Sequence, residues 1–163
     1  MNTQQAVQQL FNQLDALTQQ LGQLETLLQQ EETALTQNNF DTLERLARDK
    51  ETLSAQIEQV EKQRQQLCKQ LNIPCDFAGI KTYLNGVSGK LLGRFEQQWD
   101  KVSTLGSECA SQNQVNGILL AHRQRHTQQA LAILRGATGG DELYSASGSQ
   151  QQVMDTQHTL GRV

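Results

Sequence analysis

A leucine repeat with a 3.5-residue period constrains this chain more than any other feature. Val7, Leu10, Leu14, Leu17, Leu21, Leu24, Leu28 and Leu35 advance by alternating steps of three and four, and Glu31 stands where the repeat is interrupted. A period of 3.5 held for about four heptads keeps a narrow apolar seam on one side of a helix, as in a left-handed coiled coil. It suits neither a strand nor the wide apolar face of a globular helix. Asn2 or Thr3 is placed to cap the start, with Gln5 returning the bond, and no helix-ending signal follows before Gln37.

Asn38 and Asn39 break the pattern, and Asp41 with Glu44 three residues later reads as a second capping box. Leu43, Leu46, Leu53, Ile57, Val60, Leu67 and Leu71 then resume the alternation, with Lys50 and Arg64 in the two remaining seam positions. So short a connection makes the two helices antiparallel neighbours, each about 30 residues and ~45 Å long. Lys50 and Arg64 are expected to bury their stems while their charged ends reach water or the acidic first helix.

Composition agrees with an elongated helical protein. Of 163 residues, 28 are glutamine and 23 leucine, and only 4% are aromatic, so a compact core would lack bulk. The glutamines fall almost entirely off the seams, as a solvated surface of good helix formers. Charge is uneven: −4 over residues 1–75 against +3 over 76–135, which biases the first half to lie against the third quarter.

Pro74 is expected to end the second helix, since it lacks a donor and pushes the preceding residue out of the helical region. Residues 76–85 read as a short helix with Phe77, Ile80, Tyr83 and Leu84 on one side, closed by Asn85-Gly86. A third long helix follows, its buried stripe marked by Leu92, Phe95, Trp99, Val102, Leu105, Cys109, Leu119, Leu120, Leu131 and Leu134. Asn113 and Asn116 stand where seam residues belong, and two amides there can tie this helix to another and fix its register at some cost in stability. From Gly136 the glycines, serines and threonines bury too little apolar surface to offset ordering, so a flexible tail is expected. It carries two apolar islands, Leu143-Tyr144 and Val153-Met154 with Leu160; the second has roughly the spacing of a short amphipathic helix that folds on a partner.

The expected fold is therefore all-α: an elongated antiparallel helical bundle, or coiled-coil hairpin, with a third long helix and a flexible C-terminal tail. A bundle over 1–135 has helices at about 3–37, 40–72, 76–85 and 89–135, and a partner-binding tail occupies 136–163.

Several chemistries find no support. No run approaches the ~18 to 20 apolar residues of a membrane span, and the first 30 residues have neither a cationic start nor an apolar block, so a soluble, cytoplasmic protein without membrane insertion is expected. A pI near 5.6 without a basic tract argues against nucleic acid. Cys68, Cys75 and Cys109 are odd in number and unevenly spaced, as reduced thiols would be. His122 and His126 have the i, i+4 spacing of zinc ligands, but Arg123 and Arg125 lie between them and nothing completes a metal set. Gly86, Gly89-Lys90 and Gly93 miss the phosphate-loop pattern, with Leu84 and Leu91 where a glycine and a hydroxyl are needed. No enzyme, cofactor or metal is expected.

The segment Asn113-Gln-Val-Asn116-Gly117-Ile-Leu119-Leu120, followed by Gln128-Gln129-Ala130-Leu131 and Leu134, then Leu143-Tyr144 and Gly148, resembles the C-terminal half of the FlgN family of flagellar export chaperones. The second helix adds Phe40-Asp41, Leu43, Leu46, Lys50 and Leu53, similar to the family's leucine pair, lysine and leucine. The family commonly has glycine directly after the tyrosine, where Ser145 stands here. The resemblance implies a cytosolic protein that holds unassembled hook-filament junction subunits, the hook-associated proteins one and three. It would keep them from premature assembly and deliver them to the flagellar type III export apparatus, its gate and ATPase complex. Carried over by position, Asn113, Asn116, Gly117, Leu119, Leu120, Leu131 and Leu134 would bind substrate together with Val153, Met154 and Leu160 of the tail, and Leu143 with Tyr144 would dock on the export gate. The alternative is a structural coiled-coil oligomerisation or scaffold protein, because a seam that pairs within one chain also pairs between chains, leaving a homo-oligomer open.

Overall fold

A computed structural model describes the backbone of residues 2–141 and the side chains of residues 2–136. Every regular element among them is helical: α1 (Thr3–Gln37), α2 (Phe40–Gln70), α3 (Phe77–Val87), one 3-10 turn (Gly89–Leu91) and α4 (Leu92–Asp141). The chain divides between His122 and Arg123 into two units. The expected features of Leu143, Tyr144, Val153, Met154 and Leu160 lie outside the described residues.

The helix ends follow from local chemistry. Asn2 caps α1, its side chain accepting from Gln4 N while Gln5 returns a bond to Asn2 N. Asn38 stops α1 in the left-handed region (φ 58°), a conformation asparagine tolerates better than most residues. The second cap differs from the expectation: Asn39, not Asp41, accepts the bond, from Thr42 N at 3.2 Å. Asp41 sits in the first turn, where its charge favours the positive end of the helix. Glu44 pairs instead with Arg48 one turn on.

The close of α2 is likewise made before Pro74. Asn72 adopts φ 55° and Ile73 N donates back to Cys68 O at 3.0 Å, which satisfies a carbonyl the helix end would leave bare. Asp76 then caps α3 by accepting from Gly79 N at 2.7 Å. Gly79 is needed here, because a Cβ would lie 2.4 Å from Pro74 O. Asn85-Gly86 does not close α3; both lie inside it, and the chain turns only at Ser88, whose N–H bonds Leu84 O at 2.8 Å. Likewise α4 continues through Gly136 to Asp141 although its end was expected at 135. Glycine costs a helix roughly 1 kcal/mol but does not forbid it.

In the first unit the contacts set helix directions. Leu10 clusters with Leu67 and Cys68, while Glu31 meets Lys50, so α1 and α2 run antiparallel. Between α1 and α4 the paired positions rise together: Asp15 with Gln98, Leu21 with Cys109, Leu28 with Asn116. α4 is thus parallel to α1. Of the long helices, α1 and α2 lie side by side over the greatest length of backbone.

One end of this unit is an apolar plug. Ala6, Leu10, Phe11 and Leu14 of α1, Leu67 and Cys68 of α2, Ile80 and Leu84 of α3 and Phe95 of α4 form one buried cluster. Each large aliphatic or aromatic side chain removed from water here contributes about 1.5–3 kcal/mol before entropy is counted. Phe77 stacks on Phe95 with centroids 5.6 Å apart, and Trp99 tilts against both. Four helices close this end, so α3, though short, is fixed by what it buries.

Candidate functional site

Four residues that break the three long seams, Glu31, Lys50, Asn113 and Asn116, stand at one level of the bundle. Lys50 of α2 donates from Nζ to both carboxylate oxygens of Glu31 of α1, at 2.8 Å each. Asn116 of α4 donates from Nδ2 to Leu28 O and to Glu31 Oε2, again at 2.8 Å. Its Oδ1 accepts from Gln112 Nε2 at 3.1 Å, and Gln112 also donates to Glu32 at 3.0 Å. Asn113 accepts from Lys50 Nζ at 3.4 Å.

Asn116 is only 3% exposed, and both its amide hydrogens and its oxygen are engaged. That accounts for a polar side chain in a seam: a displaced register would bury the same amide with nothing to bond. Its role in this structure is to lock α4 against α1. Lys50 reaches the acidic α1 as expected. Arg64 does not: it is 8% exposed and turns to Glu61 of its own helix, to Cys75 O at 3.0 Å and over the Trp99 ring at 5.4 Å. The Arg64 hydrogen bond holds the Glu61 carboxyl below the usual carboxylate range. Burial, aided by a hydrogen bond with Cys75, pushes the Cys68 thiol up to about 12. Such a thiol stays protonated at neutral pH and is a packing group, not a nucleophile.

Above the polar layer a cleft of about 250 Å³ opens. Leu35 of α1, Leu43 and Ala47 of α2, and Gly117 and Leu120 of α4 line it, with Glu31, Lys50, Asn113 and Asn116 below. The structure thus brings Asn113, Asn116, Gly117 and Leu120 together at one place, while Leu119 is half-buried. Sequence reasoning missed Ile118, 63% exposed, and Val115, both lying off the heptad seam and so outside the pattern used to find buried positions. Large aliphatics off a seam are themselves the signal that would have found them. The buried stripe expected along the third helix does not hold at its far end: Leu120 is exposed, and in the second unit, taken by itself, so are Leu131 and Leu134, together with Ile133, which was also missed.

A family model described as FlgN protein matches residues 1–152. The chain belongs to the FlgN family. No curated protein and no solved structure matches it. As a FlgN-family member it is, in general terms, a flagellar export chaperone, with flagellar hook-associated proteins as its class of partner. No helix among its described residues is long and apolar enough to cross a membrane.

Proposed function

We propose that this FlgN-family chain holds unassembled hook-filament junction subunits, the hook-associated proteins one and three, in the cytoplasm. It keeps them from assembling early and delivers them to the gate and ATPase complex of the export apparatus. The observation that carries this reading is the exposure of large aliphatics on α4: Ile118 and Leu120 in the first unit and, separately, Leu131, Ile133 and Leu134 in the second. Aliphatics of this size on a water-facing helix suit the apolar face of another helix. Asn113 and Gly117 lie on the same helix, and Leu143-Tyr144 remains the proposed contact to the gate.

Release needs no nucleotide chemistry under this reading. Ordering a partner segment on binding costs free energy and keeps affinity moderate for the area buried, so competition at the export machinery suffices to unload the chaperone. The test is a pull-down of purified junction subunits by the full chain, repeated with the subunits' C-terminal segments removed. Binding that depends on those segments is expected; no binding to the intact subunits would overturn the reading. Tyr144→Ala is expected to weaken gate docking while leaving subunit binding and thermal stability unchanged, and normal docking would remove the tyrosine from this role.

A further inference from the structure

Gly117 sits inside α4 with no steric reason of its own to be glycine. It is the weakest helix former after proline, and a Cβ built there meets nothing within 4 Å. Open space alone would mean little, since Gly22 and Gly106 have it too. Here the space is walled: Leu35 from α1, Leu43 and Ala47 from α2 and Leu120 from α4 surround it, and the Glu31–Lys50–Asn116 layer forms its floor. Leu43 is half-buried and Leu120 is 45% exposed, so these walls keep apolar surface in water in the isolated chain.

The rim adds a direction. Asn113 takes Lys50 on its oxygen, and its amide hydrogens have no partner among the described residues. Lys50 itself is satisfied by Glu31 and Asn113. The rim is therefore a donor awaiting an acceptor, beside a cavity awaiting an apolar group.

We infer that the Gly117 cleft seats one apolar side chain of an amphipathic helix of an unassembled hook-associated subunit, with a carboxylate or amide of that helix, about one turn away, accepting from Asn113. The inference rests on the reading of α4 as the substrate-binding helix, and it names where on that helix the anchor goes. Gly117 lets the incoming helix approach the α4 backbone, and the polar layer beneath prevents the anchor from penetrating further. A buried apolar anchor ringed by aliphatic walls is the arrangement in which a single side chain dominates an interface.

The experiment fills the cleft without disturbing the fold. Gly117→Trp and, from the opposite wall, Ala47→Trp are compared with wild type and Gly117→Ala for binding to a purified junction subunit by calorimetry, with helicity and Tm measured on each. Gly117→Ala should raise Tm and weaken binding by a small factor, about two- to fivefold, because its Cβ holds the incoming helix off the α4 backbone. The tryptophan variants should keep wild-type helicity yet bind about tenfold weaker or worse. Asn113→Ala should lose a smaller factor, about two- to fivefold. Should Gly117→Trp fail to fold, the exposed Ala47 position carries the test. A folded tryptophan variant that binds as tightly as wild type overturns the cleft and leaves the chaperone reading intact; a wild-type chain that binds no junction subunit overturns that reading and the cleft with it.

Discussion

The two ends of the first unit are held by opposite means. At the end closed by α3, Leu10, Phe11, Leu14, Ile80, Leu84 and Phe95 exclude water, and stability there depends on filled volume. At the Asn116 end the helices are joined by an ion pair and amides, and stability depends on every partner being present. The first arrangement is strong but permissive, since one well-packed apolar side chain resembles another. The second contributes little net free energy but admits one register of α4 against α1.

The sharpest way to break the comparison is at the apolar plug. Phe95→Ala should cost about 3–5 kcal/mol in denaturant unfolding, through lost transfer energy and the cavity left among Phe77, Trp99 and the α1 leucines. A cost below about 1 kcal/mol would mean that this end does not depend on volume. Next is the polar layer. Asn116→Ala should cost about 1–3 kcal/mol, because Glu31 loses a buried donor. Lys50→Met alone should destabilise more than the pair Lys50→Met with Glu31→Leu, since replacing both partners leaves no charge uncompensated. Equal costs for the single and double variants would show that the layer is not a coupled network.

A smaller effect concerns the α2–α3 corner. Asn39→Ala should cost about 1 kcal/mol at the other end of α2, by leaving the Thr42 N–H without its cap. At the corner itself the expected signature is pH dependence. The folded Cys68 thiol has its pKa raised to about 12, so the stability it supports is complete below its unfolded value near 9.0 and is lost as pH rises towards 12. Glu61 has its pKa lowered, so its contribution is present above the unfolded value near 4.5 and fades as pH falls through the lowered one. Cys68→Ala should flatten the alkaline slope of unfolding free energy whatever it does to the neutral value; an unchanged slope would place the alkaline loss elsewhere.

Much of this was legible before the fold. Glu31, Lys50, Asn113 and Asn116 each announce themselves by occupying a seam position with the wrong chemistry. That the four meet at one level was not legible, because it depends on the stagger of three helices and joins residues such as Glu31 and Asn116 that are 85 positions apart. Arg64 shows the same limit: its seam position was evident, but its choice of Glu61, Cys75 and Trp99 over α1 depends on the corner that Asn72 and Pro74 build. Asn85-Gly86 reads as a stop and is not one, since Ile80 and Leu84 bury against the plug and hold the last turn of α3. Ile118 and Ile133 were overlooked because the heptad rule searches for burial, and their significance is exposure.

By itself, then, the sequence determined that this chain is helical, where its long helices start and which stripe of each is apolar, because period and capping act over three or four residues. The Asn113–Leu134 pattern within it also carried the family. The tertiary structure alone decided that α4 runs parallel to α1, that the seam positions held by Glu31, Lys50, Asn113 and Asn116 form a single hydrogen-bonded layer, and that Gly117 opens onto a leucine-walled cleft. Those outcomes depend on which surfaces of separate helices face one another, and the satisfaction of buried polar groups selects among registers that the leucine repeat leaves nearly equal.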